Sequence, residues 1–381
     1  MLPADDTRQA SVKVLVIIPS LHRGGAERVV SLLSQEWAKQ HHVKLAVFDA
    51  TTPAYAYGGE LIDLGLAARA GLYGKLENAI TRIRKLYRLI HDEQPDRIIS
   101  FMESANFPAI LASLLAGKRR QLSVSVRNDP TRFNRGYRIM IPYAYRLPDQ
   151  VIAVSAGVGQ ALAKMGVPAQ KIRAIPNPAI IPATGNLQPE NAIEALKPFI
   201  LGVGRLHRQK GFDRLLEAFA AIGHPRLKLV ILGEGQERTA LEKQARDLGI
   251  DSQLVMPGAV ADPSAWYRAA ECFVLSSRHE GWPNVLMEAM ANGCPVVSFD
   301  CNYGPSEIIV RDKSGLIAKE GDINDLLNAL SKILHNPKLR ETISENGKKQ
   351  AAQFSIETIA EKWFKPISMT NSSKFTVKKK L

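Results

Sequence analysis

The amino-acid sequence predicts an α/β fold with two doubly wound domains, each a parallel sheet covered by helices. Short runs of continuous apolar residues, typical of buried parallel strands, alternate with helical patterns. A stretch rich in proline and glycine at residues 175–185 interrupts this alternation, which then begins again. The chain has 381 residues, of which 45% are hydrophobic, and this is enough for two cores.

The first round of alternation begins with a predicted strand at residues 12–18. Gly24 and Gly25 then open a loop that runs into a helix. The further strands predicted in this half are residues 43–49, 97–101, 122–126 and 150–154. We therefore assign residues 1–185 to an N-terminal domain of Rossmann type.

The second round gives a second Rossmann-like domain, at residues 186–355. Its predicted strands are residues 199–203, 228–232, 253–256, 272–276 and 295–299. Its predicted helices are residues 212–222, 236–248, 265–270 and 284–292. A last helical pattern begins at Ile356 and carries Trp363 and Phe364. We expect residues 356–381 to form a helix that returns to the N-terminal domain, followed by a basic tail.

The positive charge is concentrated in the first half of the chain. The net charge is +13, and residues 1–190 hold 24 Lys and Arg against 15 Asp and Glu. This asymmetry favours a polyanion or an anionic membrane as a partner, although a solvated basic face is an open alternative.

The cellular setting is predicted from what the sequence lacks. No apolar run approaches the roughly 20 residues of a membrane-spanning helix, and the N-terminus has no signal-peptide pattern. The three cysteines have neither disulfide nor metal spacing. We therefore expect a reducing, cytoplasmic location.

Three G-x-G pairs could belong to a dinucleotide-binding fingerprint. His207, Arg238 and Leu162 stand where the third glycine of each motif is required, so none is complete. A nicotinamide dehydrogenase is thereby disfavoured, and no Walker phosphate loop is present.

A phosphate-binding set of another kind follows the strand at residues 199–203. Gly204 and Arg205 open a short loop that Lys210 and Gly211 close. Glycine lets a backbone approach a ligand, and the two cations can converge on one diphosphate. This pattern predicts a nucleotide-diphosphate site.

A second segment carries two glutamates and the start of a helix. Glu280 is expected in a loop, and Glu288 inside the helix that follows Pro283. Free backbone N–H groups and the helix dipole favour a phosphate at the first helical residues, Asn284, Val285 and Leu286. Glu288 could accept hydrogen bonds from ribose hydroxyls, and Glu280 could approach the group on the distal phosphate.

Three motifs together carry a family resemblance. They are the E-x7-E pair Glu280 and Glu288, the Gly-Arg and Lys-Gly pairs at 204–205 and 210–211, and the Gly-Gly-Ala-Glu loop at 24–27. The chain resembles the family 4 glycosyltransferases, which have the two-domain GT-B fold, over nearly its whole length. The resemblance implies transfer of a sugar from a nucleotide-sugar donor, with retention of anomeric configuration, to an acceptor held by the N-terminal domain.

The resemblance also implies roles for single residues. Arg205 and Lys210 would bind the diphosphate and stabilise the leaving group, with Glu280 near the donor sugar and Glu288 on the ribose. Further donor contacts are implied for Gly24, Gly25, Gly204 and Val260. Residues 302–305 look like those of transferases that use UDP-linked hexoses or N-acetylhexosamines.

The acceptor side departs from the family pattern. Arg127 and Asn128 stand where many relatives carry a histidine, and an arginine is no general base. Front-face attack, in which the donor phosphate takes the acceptor proton, needs no protein base. Glu103 is a further candidate for the acceptor pocket, and a structural role for it is an equal alternative.

Neither a cofactor nor a metal is expected. The sequence has no D-x-D triplet and no ligand spacing of histidines, and basic residues can neutralise the diphosphate. Three other functions stay open: a nucleotide-sugar epimerase, an inactive scaffold of the same fold and a nucleic-acid-binding protein.

A basic amphipathic pattern at residues 72–90 completes the prediction. Its apolar positions alternate with Arg82, Arg84, Lys85 and Arg88, as in helices that lie on membranes, although core packing against the first sheet is the better explanation of the apolar stripe itself. We expect a lipid-linked saccharide acceptor in the synthesis of O-antigen, capsule, exopolysaccharide or lipopolysaccharide. The protein would bind the cytoplasmic face of the membrane peripherally.

Overall fold

The chain divides into two compact units. The computed structural model describes residues 11–22, 24–50, 53–66, 72–179 and 190–365. The first unit draws on Met1–Val154, Val158–Ile175 and Ala360–Leu381, and the second on Ser155–Gly157 and Pro176–Ile359. The domain boundary predicted at residue 185 lies outside the described residues.

A parallel sheet of seven strands forms the centre of the first unit. Its strands are β1 (Lys13–Ser20), β2 (His42–Asp49), β3 (Glu60–Asp63), β4 (Arg97–Phe101), β5 (Leu122–Val126), β6 (Gln150–Ala153) and β7 (Ile172–Ala174). Their order in the sheet is β3-β2-β1-β4-β5-β6-β7. All the paired strands are parallel. Val14 to Ile18 on β1 are all buried, as expected for a strand covered on both faces.

Five helices are described between the strands of the first sheet. They are α1 (Gly25–Trp37), α2 (Leu72–Glu93), α3 (Glu103–Leu115), α4 (Arg135–Ala144) and α5 (Ala156–Lys164). Leu86 and Ile90 on α2 are fully buried, whereas Ile80 and Tyr87 are exposed. Much of the apolar stripe of α2 is therefore core, in agreement with the packing interpretation of the sequence, and α2 packs beside α3.

The second unit repeats this plan with six parallel strands. They are β8 (Phe199–Val203), β9 (Lys228–Leu232), β10 (Leu254–Gly258), β11 (Cys272–Leu275), β12 (Val296–Phe299) and β13 (Leu316–Ala318). Their order is β10-β9-β8-β11-β12-β13, again with parallel pairs. Two doubly wound α/β domains, as predicted, are thus confirmed.

The helices of the second unit cover this sheet. The first five in chain order are α6 (Glu190–Glu194), α7 (Phe212–Ile222), α8 (Arg238–Asp247), α9 (Ser264–Ala269) and α10 (Asn284–Ala291). They are followed by α11 (Pro305–Ile308), α12 (Ile323–Leu334) and α13 (Pro337–Ala352). Leu215, Leu216 and Phe219 on α7 pack with Leu326 and Leu330 on α12 in one buried cluster.

A last helix, α14 (Ile356–Lys362), brings the end of the described chain to the first unit. The Trp363 ring lies 5.7 Å from that of Trp37 and 5.2 Å from that of Phe101. The Phe364 ring lies 5.8 Å from that of Trp37. Edge-to-face aromatic contacts of this kind add to the stabilisation from buried area, so these two side chains anchor the segment.

The order of strands reverses direction once in each sheet. In a doubly wound sheet, ligands bind beyond the carboxyl ends of the two strands that flank this reversal. These are β1 and β4 in the first unit and β8 and β11 in the second. The fold therefore predicts a ligand site in the loops that follow these four strands.

Candidate active site

The predicted donor residues follow the two strands at the reversal of the second sheet. β8 and β11 are direct neighbours, with Ile200 paired to Cys272 and Leu201 to Phe273. The segment from Gly204 to Lys210 leaves β8, and Glu280 lies in the loop that leaves β11. The fold thus brings together residues that are 70 positions apart in the sequence.

The loop after β8 is held by a backbone hydrogen bond at Gly204 and by a close backbone approach at Gly211 that only glycine allows. The Gly204 amide donates to the Leu232 carbonyl oxygen at 2.9 Å, and the loop ends in a single 3-10 turn, Arg208–Lys210. Gly211 follows with φ of 65°, and a Cβ atom there would clash with the Ser276 carbonyl oxygen. The glycine therefore lets the loop lie directly against the end of β11.

An ion pair between Lys210 and Glu280 is the centre of this site. Lys210 Nζ lies 2.7 Å from Glu280 Oε1, and the Ser277 hydroxyl donates to the same oxygen at 2.7 Å. The Glu280 side chain is 8% exposed and that of Lys210 is 16% exposed. Within the described residues, no hydrogen bond engages Glu280 Oε2, and Lys210 uses one of its three protons on Glu280. The pair can therefore hold a polar ligand without breaking.

Arg278 fixes the loop after β8 to the loop after β11. It binds Asp213, at the start of α7, through two hydrogen bonds of 2.7 and 2.5 Å. Its side chain also donates to the Arg208 carbonyl oxygen at 2.9 Å, and its backbone amide donates to the Gln209 carbonyl oxygen at 2.8 Å. Hydrogen bonding to Asp213 raises the pKa of Arg278. We call Arg278 and Asp213 the loop clamp.

Arg205 lies in the same loop as Lys210 but points to solvent. Its side chain is exposed and forms no ion pair within the described part of the chain. A guanidinium in this state is available to bind an anion, because no carboxylate competes for it.

Helix α10 begins beside Glu280 and presents free amides. No acceptor is found for the backbone N–H groups of Asn284 and Val285 among the described residues, and the helix has no side-chain cap. The Leu286 amide, by contrast, donates to the Pro283 carbonyl oxygen at 3.0 Å. The helix dipole and two free donors therefore favour an anion at this end.

Glu288 is inside α10, as predicted, and it is as buried as Glu280. It is 4% exposed, and the Tyr267 hydroxyl donates to its Oε2 at 3.4 Å. The sequence contains no motif that would single out Tyr267. The predicted contact between Glu288 and a ribose stays a prediction.

The loops after β9 and β10 continue the same edge of the sheet. Gly233 has φ of 147°, and a Cβ atom there would clash with the Gly204 carbonyl oxygen. The Gly233 amide donates to the Gly258 carbonyl oxygen at 2.8 Å. Val260, predicted to lie near the nucleobase, is half-buried two residues beyond β10. The G-x-G pair at 233 and 235 thus joins neighbouring loops.

In the first unit, the predicted residues follow β1, β4 and β5. Gly24 precedes α1 with φ of −171°, and Gly25 is the first residue of that helix. Glu103 is the first residue of α3, and Arg127 and Asn128 come directly after β5. Gly25 and Glu103 therefore lie on the two sides of the reversal between β1 and β4.

Glu103 and Arg127 are buried and incompletely hydrogen-bonded. No partner is found within the described residues for Glu103 Oε1, nor for Nε and Nη2 of Arg127. Arg127 Nη1 donates to the Ser125 hydroxyl at 3.2 Å, and the guanidinium lies 5.7 Å from the Phe101 ring centre. Asn128, by contrast, is exposed. Buried polar atoms without partners are rare and costly, and two such side chains follow neighbouring strands here, at the edge of the sheet where ligands bind in this fold.

Burial shifts the pKa of each group in the direction that favours its uncharged form. It raises the pKa of Glu103 to about 7 and lowers the pKa of Arg127 to about 9. Arg127 therefore remains a cation at neutral pH, whereas Glu103 is close to half protonated there. A carboxyl group in this state can either donate or accept a hydrogen bond.

Metal-ligand clusters are not found in the described part of the chain, where no three His, Cys, Asp or Glu side chains come together suitably. The expectation that no metal or cofactor takes part stays a prediction. Similarly, no helix among the described residues is long and apolar enough to cross a membrane.

Two family models match consecutive parts of the sequence. The model described as Glycosyltransferase Family 4 matches residues 23–179, and the model described as Glycosyl transferases group 1 matches residues 184–350. The chain belongs to the family 4 glycosyltransferases. The family that the motifs indicated is thereby confirmed.

Three relatives of this transferase illustrate the similarity. An uncharacterized glycosyltransferase of Haemophilus influenzae is 31% identical over 46% of this chain and 51% of its own length. The amylovoran biosynthesis glycosyltransferase AmsD of Erwinia amylovora is 25% identical over 92% of this chain and 98% of its own. A Campylobacter jejuni N-acetylgalactosaminyltransferase, named for a diphospho-undecaprenol-linked acceptor, is 25% identical over 94% of this chain and 98% of its own.

Solved structures match the transferase over nearly its full length. The crystal structures of Anabaena Alr3699/HepE with UDP and with UDP-glucose have TM-scores of 0.77 and 0.76, at 21% and 22% identity. Each match covers 92% of this chain and 98% of the other. The GT-B fold is thereby confirmed.

Several residues that build the site of this transferase escaped the sequence analysis. Ser277 comes two residues after a buried strand, a position that a search for polar residues at strand ends would find. Asp213 gives no such signal, because its partner Arg278 is 65 positions away. Asn177, whose side-chain amide donates to Asn284 Oδ1 at 2.6 Å, lies in the stretch rich in proline and glycine at residues 175–185, which was interpreted only as a break between the two domains.

Proposed function

We propose that this transferase moves a hexose or N-acetylhexosamine, with retention, from a UDP-sugar to a lipid-linked saccharide. The pathway is the synthesis of a surface polysaccharide, such as O-antigen, capsule, exopolysaccharide or lipopolysaccharide. The observation that carries the proposal is the Lys210–Glu280 pair, held at 2.7 Å beyond the carboxyl ends of β8 and β11. A cation and a carboxylate at this point suit a diphosphate joined to a sugar.

The donor contacts follow from the geometry of the second unit. The diphosphate lies between Lys210, Arg205 and the free amides of Asn284 and Val285, four groups that are all donors. The Oε2 atom of Glu280 accepts from a hydroxyl of the donor sugar. The HepE complexes with UDP and UDP-glucose support UDP as the nucleotide.

In the transfer, the bond between the anomeric carbon and the distal phosphate oxygen breaks. The acceptor hydroxyl forms the new bond to this carbon from the same face, and its proton passes to the departing phosphate oxygen. Negative charge grows on the diphosphate, where Lys210 and Arg205 stabilise it more strongly than in the ground state. The step therefore needs neither a protein base nor a metal.

The acceptor is assigned to the first unit. Glu103, Arg127 and Asn128 bind its polar groups, and the two unpartnered Arg127 nitrogens suit an oxygen-rich or anionic ligand. The Campylobacter relative supports a saccharide linked to a diphosphate lipid, because its name describes such an acceptor. The basic charge of the first half supports a peripheral association with the cytoplasmic face of an anionic membrane.

The proposal is tested with bacterial membranes and a panel of labelled UDP- and GDP-sugars. We expect label from one UDP-sugar to enter the solvent-extractable lipid fraction with the wild-type protein and not with Glu280→Ala. Glu341→Ala, an exposed glutamate of the same unit, is the matched control and retains transfer. Absence of label from every donor would contradict the lipid acceptor, and a sugar altered but still joined to UDP would indicate an epimerase.

A further inference from the structure

Two neighbouring helices of the first unit expose large apolar side chains. On α3 these are Leu111, Leu114 and Leu115, and on α4 they are Ile139, Met140 and Tyr143. We call these six residues the α3–α4 patch. Leu115 is 67% exposed and Tyr143 is 70% exposed, so about two thirds of each residue's surface is open to solvent. Patches of this kind usually mark an interaction surface.

The patch has a defined face on each helix. Leu111, Leu114 and Leu115 follow the i, i+3, i+4 spacing that places side chains together on one side of a helix. One turn before them, Phe107 stacks on Tyr137 of α4 with ring centres 5.2 Å apart. The two helices are thus in direct contact beside the exposed leucines.

The surroundings of the patch are strongly basic. Between residues 104 and 148 the sequence holds eight Lys and Arg and one acidic residue, Asp129. Asp129 is buried, accepts from the Thr131 amide and hydroxyl, and lies 3.6 Å from Arg132 Nε, so it offsets part of the charge of that one arginine. The exposed arginines are Arg119 and Arg120, just beyond α3, and Arg132, Arg135, Arg138 and Arg146, on or beside α4.

Apolar side chains ringed by arginine match one kind of partner. The arginines can bind lipid phosphates while the apolar side chains enter the boundary between head groups and acyl chains. A second copy of this chain would bring the same positive charge against the patch, which opposes a symmetric dimer. The surface therefore fits an anionic bilayer better than another protomer.

We propose that the α3–α4 patch binds the surface of an anionic lipid bilayer. This inference deepens the proposed function and rests on it, because a lipid-linked acceptor is located in a membrane and the enzyme must reach it there. It also replaces the α2 stripe of the sequence analysis, whose Leu86 and Ile90 are core residues. Ile80 and Tyr87, which are exposed on the part of α2 whose side chains the structure describes, lie outside the patch.

Sedimentation with lipid vesicles tests the proposal on the purified full-length protein. Wild-type protein binds phosphatidylcholine vesicles that contain phosphatidylglycerol, and it binds pure phosphatidylcholine vesicles weakly. Replacing both Leu115 and Tyr143 by Ser lowers the partition coefficient about tenfold or more. Replacing both Arg135 and Arg138 by Gln lowers the partition coefficient about 30-fold, because each basic residue near an anionic surface contributes about 1 kcal/mol to binding.

Matched controls come from the second unit. Leu248 and Val310 are also exposed apolar residues, and replacing both by Ser leaves vesicle binding unchanged. Exposed Arg226 and Arg246 serve as the charge control. Circular dichroism verifies the fold of each variant.

Two outcomes would overturn the proposal: no binding of wild-type protein to anionic vesicles, or equal binding by the Leu115 and Tyr143 variant. A dimer that this variant abolishes, without lipid binding, would assign the patch to a second copy instead. UDP affinity measured by calorimetry without lipid reports on the donor site alone, so failure of the proposed function is detected separately.

Discussion

Glu103 makes the stability of the first unit depend on pH. Burial raises its pKa to about 7, so the folded state binds the proton more tightly than the unfolded chain does. The stability that the protonated form contributes is complete below the unfolded pKa of 4.5 and is lost as the pH rises through 7. A shift of this size corresponds to about 3 kcal/mol.

We therefore predict that Glu103→Gln stabilises the protein at pH 8 relative to wild type, by up to about 3 kcal/mol, and has little effect at pH 4.5. Urea unfolding at a series of pH values measures the difference. The exposed Glu341→Gln serves as control, and its curve runs parallel to wild type. A difference that stays constant with pH would show that Glu103 keeps an ordinary pKa.

Replacing Arg127 distinguishes a structural role of this residue from a role in acceptor binding. Its Nε and Nη2 atoms are buried without partners, so the hydrogen bond to Ser125 and the contact with the Phe101 ring offset only part of the cost of burying the charge. We predict that Arg127→Met leaves the melting temperature unchanged or raises it, while kcat/KM for the acceptor falls about 10- to 100-fold. The exposed Arg226→Met, in the second unit, is the control for loss of charge. Destabilisation with normal transfer would mean that Arg127 serves packing alone.

At the scale of elements, the loop clamp determines where Lys210 lies. Arg278 holds the turn Arg208–Lys210 through a side-chain and a backbone hydrogen bond, and Asp213 fixes the orientation of its guanidinium. Burial on its own raises the pKa of Asp213, but hydrogen bonding and the charge of Arg278 outweigh it and hold this pKa below its usual value. The clamp is therefore charged on both sides at neutral pH.

We predict that Asp213→Asn raises the KM for the donor about threefold to tenfold, with a smaller change in kcat, because the bidentate pair is lost while Lys210 remains. Steady-state kinetics with varied UDP-sugar measures this split. Asp247→Asn breaks the exposed ion pair with Lys243 and should change neither constant. An unchanged KM in Asp213→Asn would mean that the loops hold their positions without the clamp.

At the scale of the whole molecule, the sequence predicted the central strands better than the edges. β4, β5, β8 and β9 have the predicted bounds, since buried parallel strands are continuous apolar runs. Three short strands, β3, β7 and β13, were not predicted. β3 is a four-residue edge strand whose first and last residues are Glu60 and Asp63, and so short a segment has no clear pattern.

The candidate site was predicted in part for a similar reason. Motifs that are local in sequence, such as Gly204 to Gly211 and Glu280 to Glu288, could be recognised, and the fold brings them together. The ion pair between Lys210 and Glu280 and the loop clamp could not be predicted, because both depend on the adjacency of β8 and β11. The α2 stripe, for which core packing was the better explanation, could not be settled from the sequence, since an amphipathic pattern does not reveal whether its apolar face meets a sheet or a membrane.

The central claim is that Lys210 and its neighbours bind a nucleoside diphosphate. Isothermal titration calorimetry of UDP against wild-type protein, Lys210→Met and the exposed control Lys243→Met tests it most directly. We predict that the Lys210 variant binds UDP at least about tenfold more weakly, since it loses a charge-assisted hydrogen bond, and that the control binds normally. Equal affinity in all three proteins, or no binding of UDP to the wild type, would contradict the account.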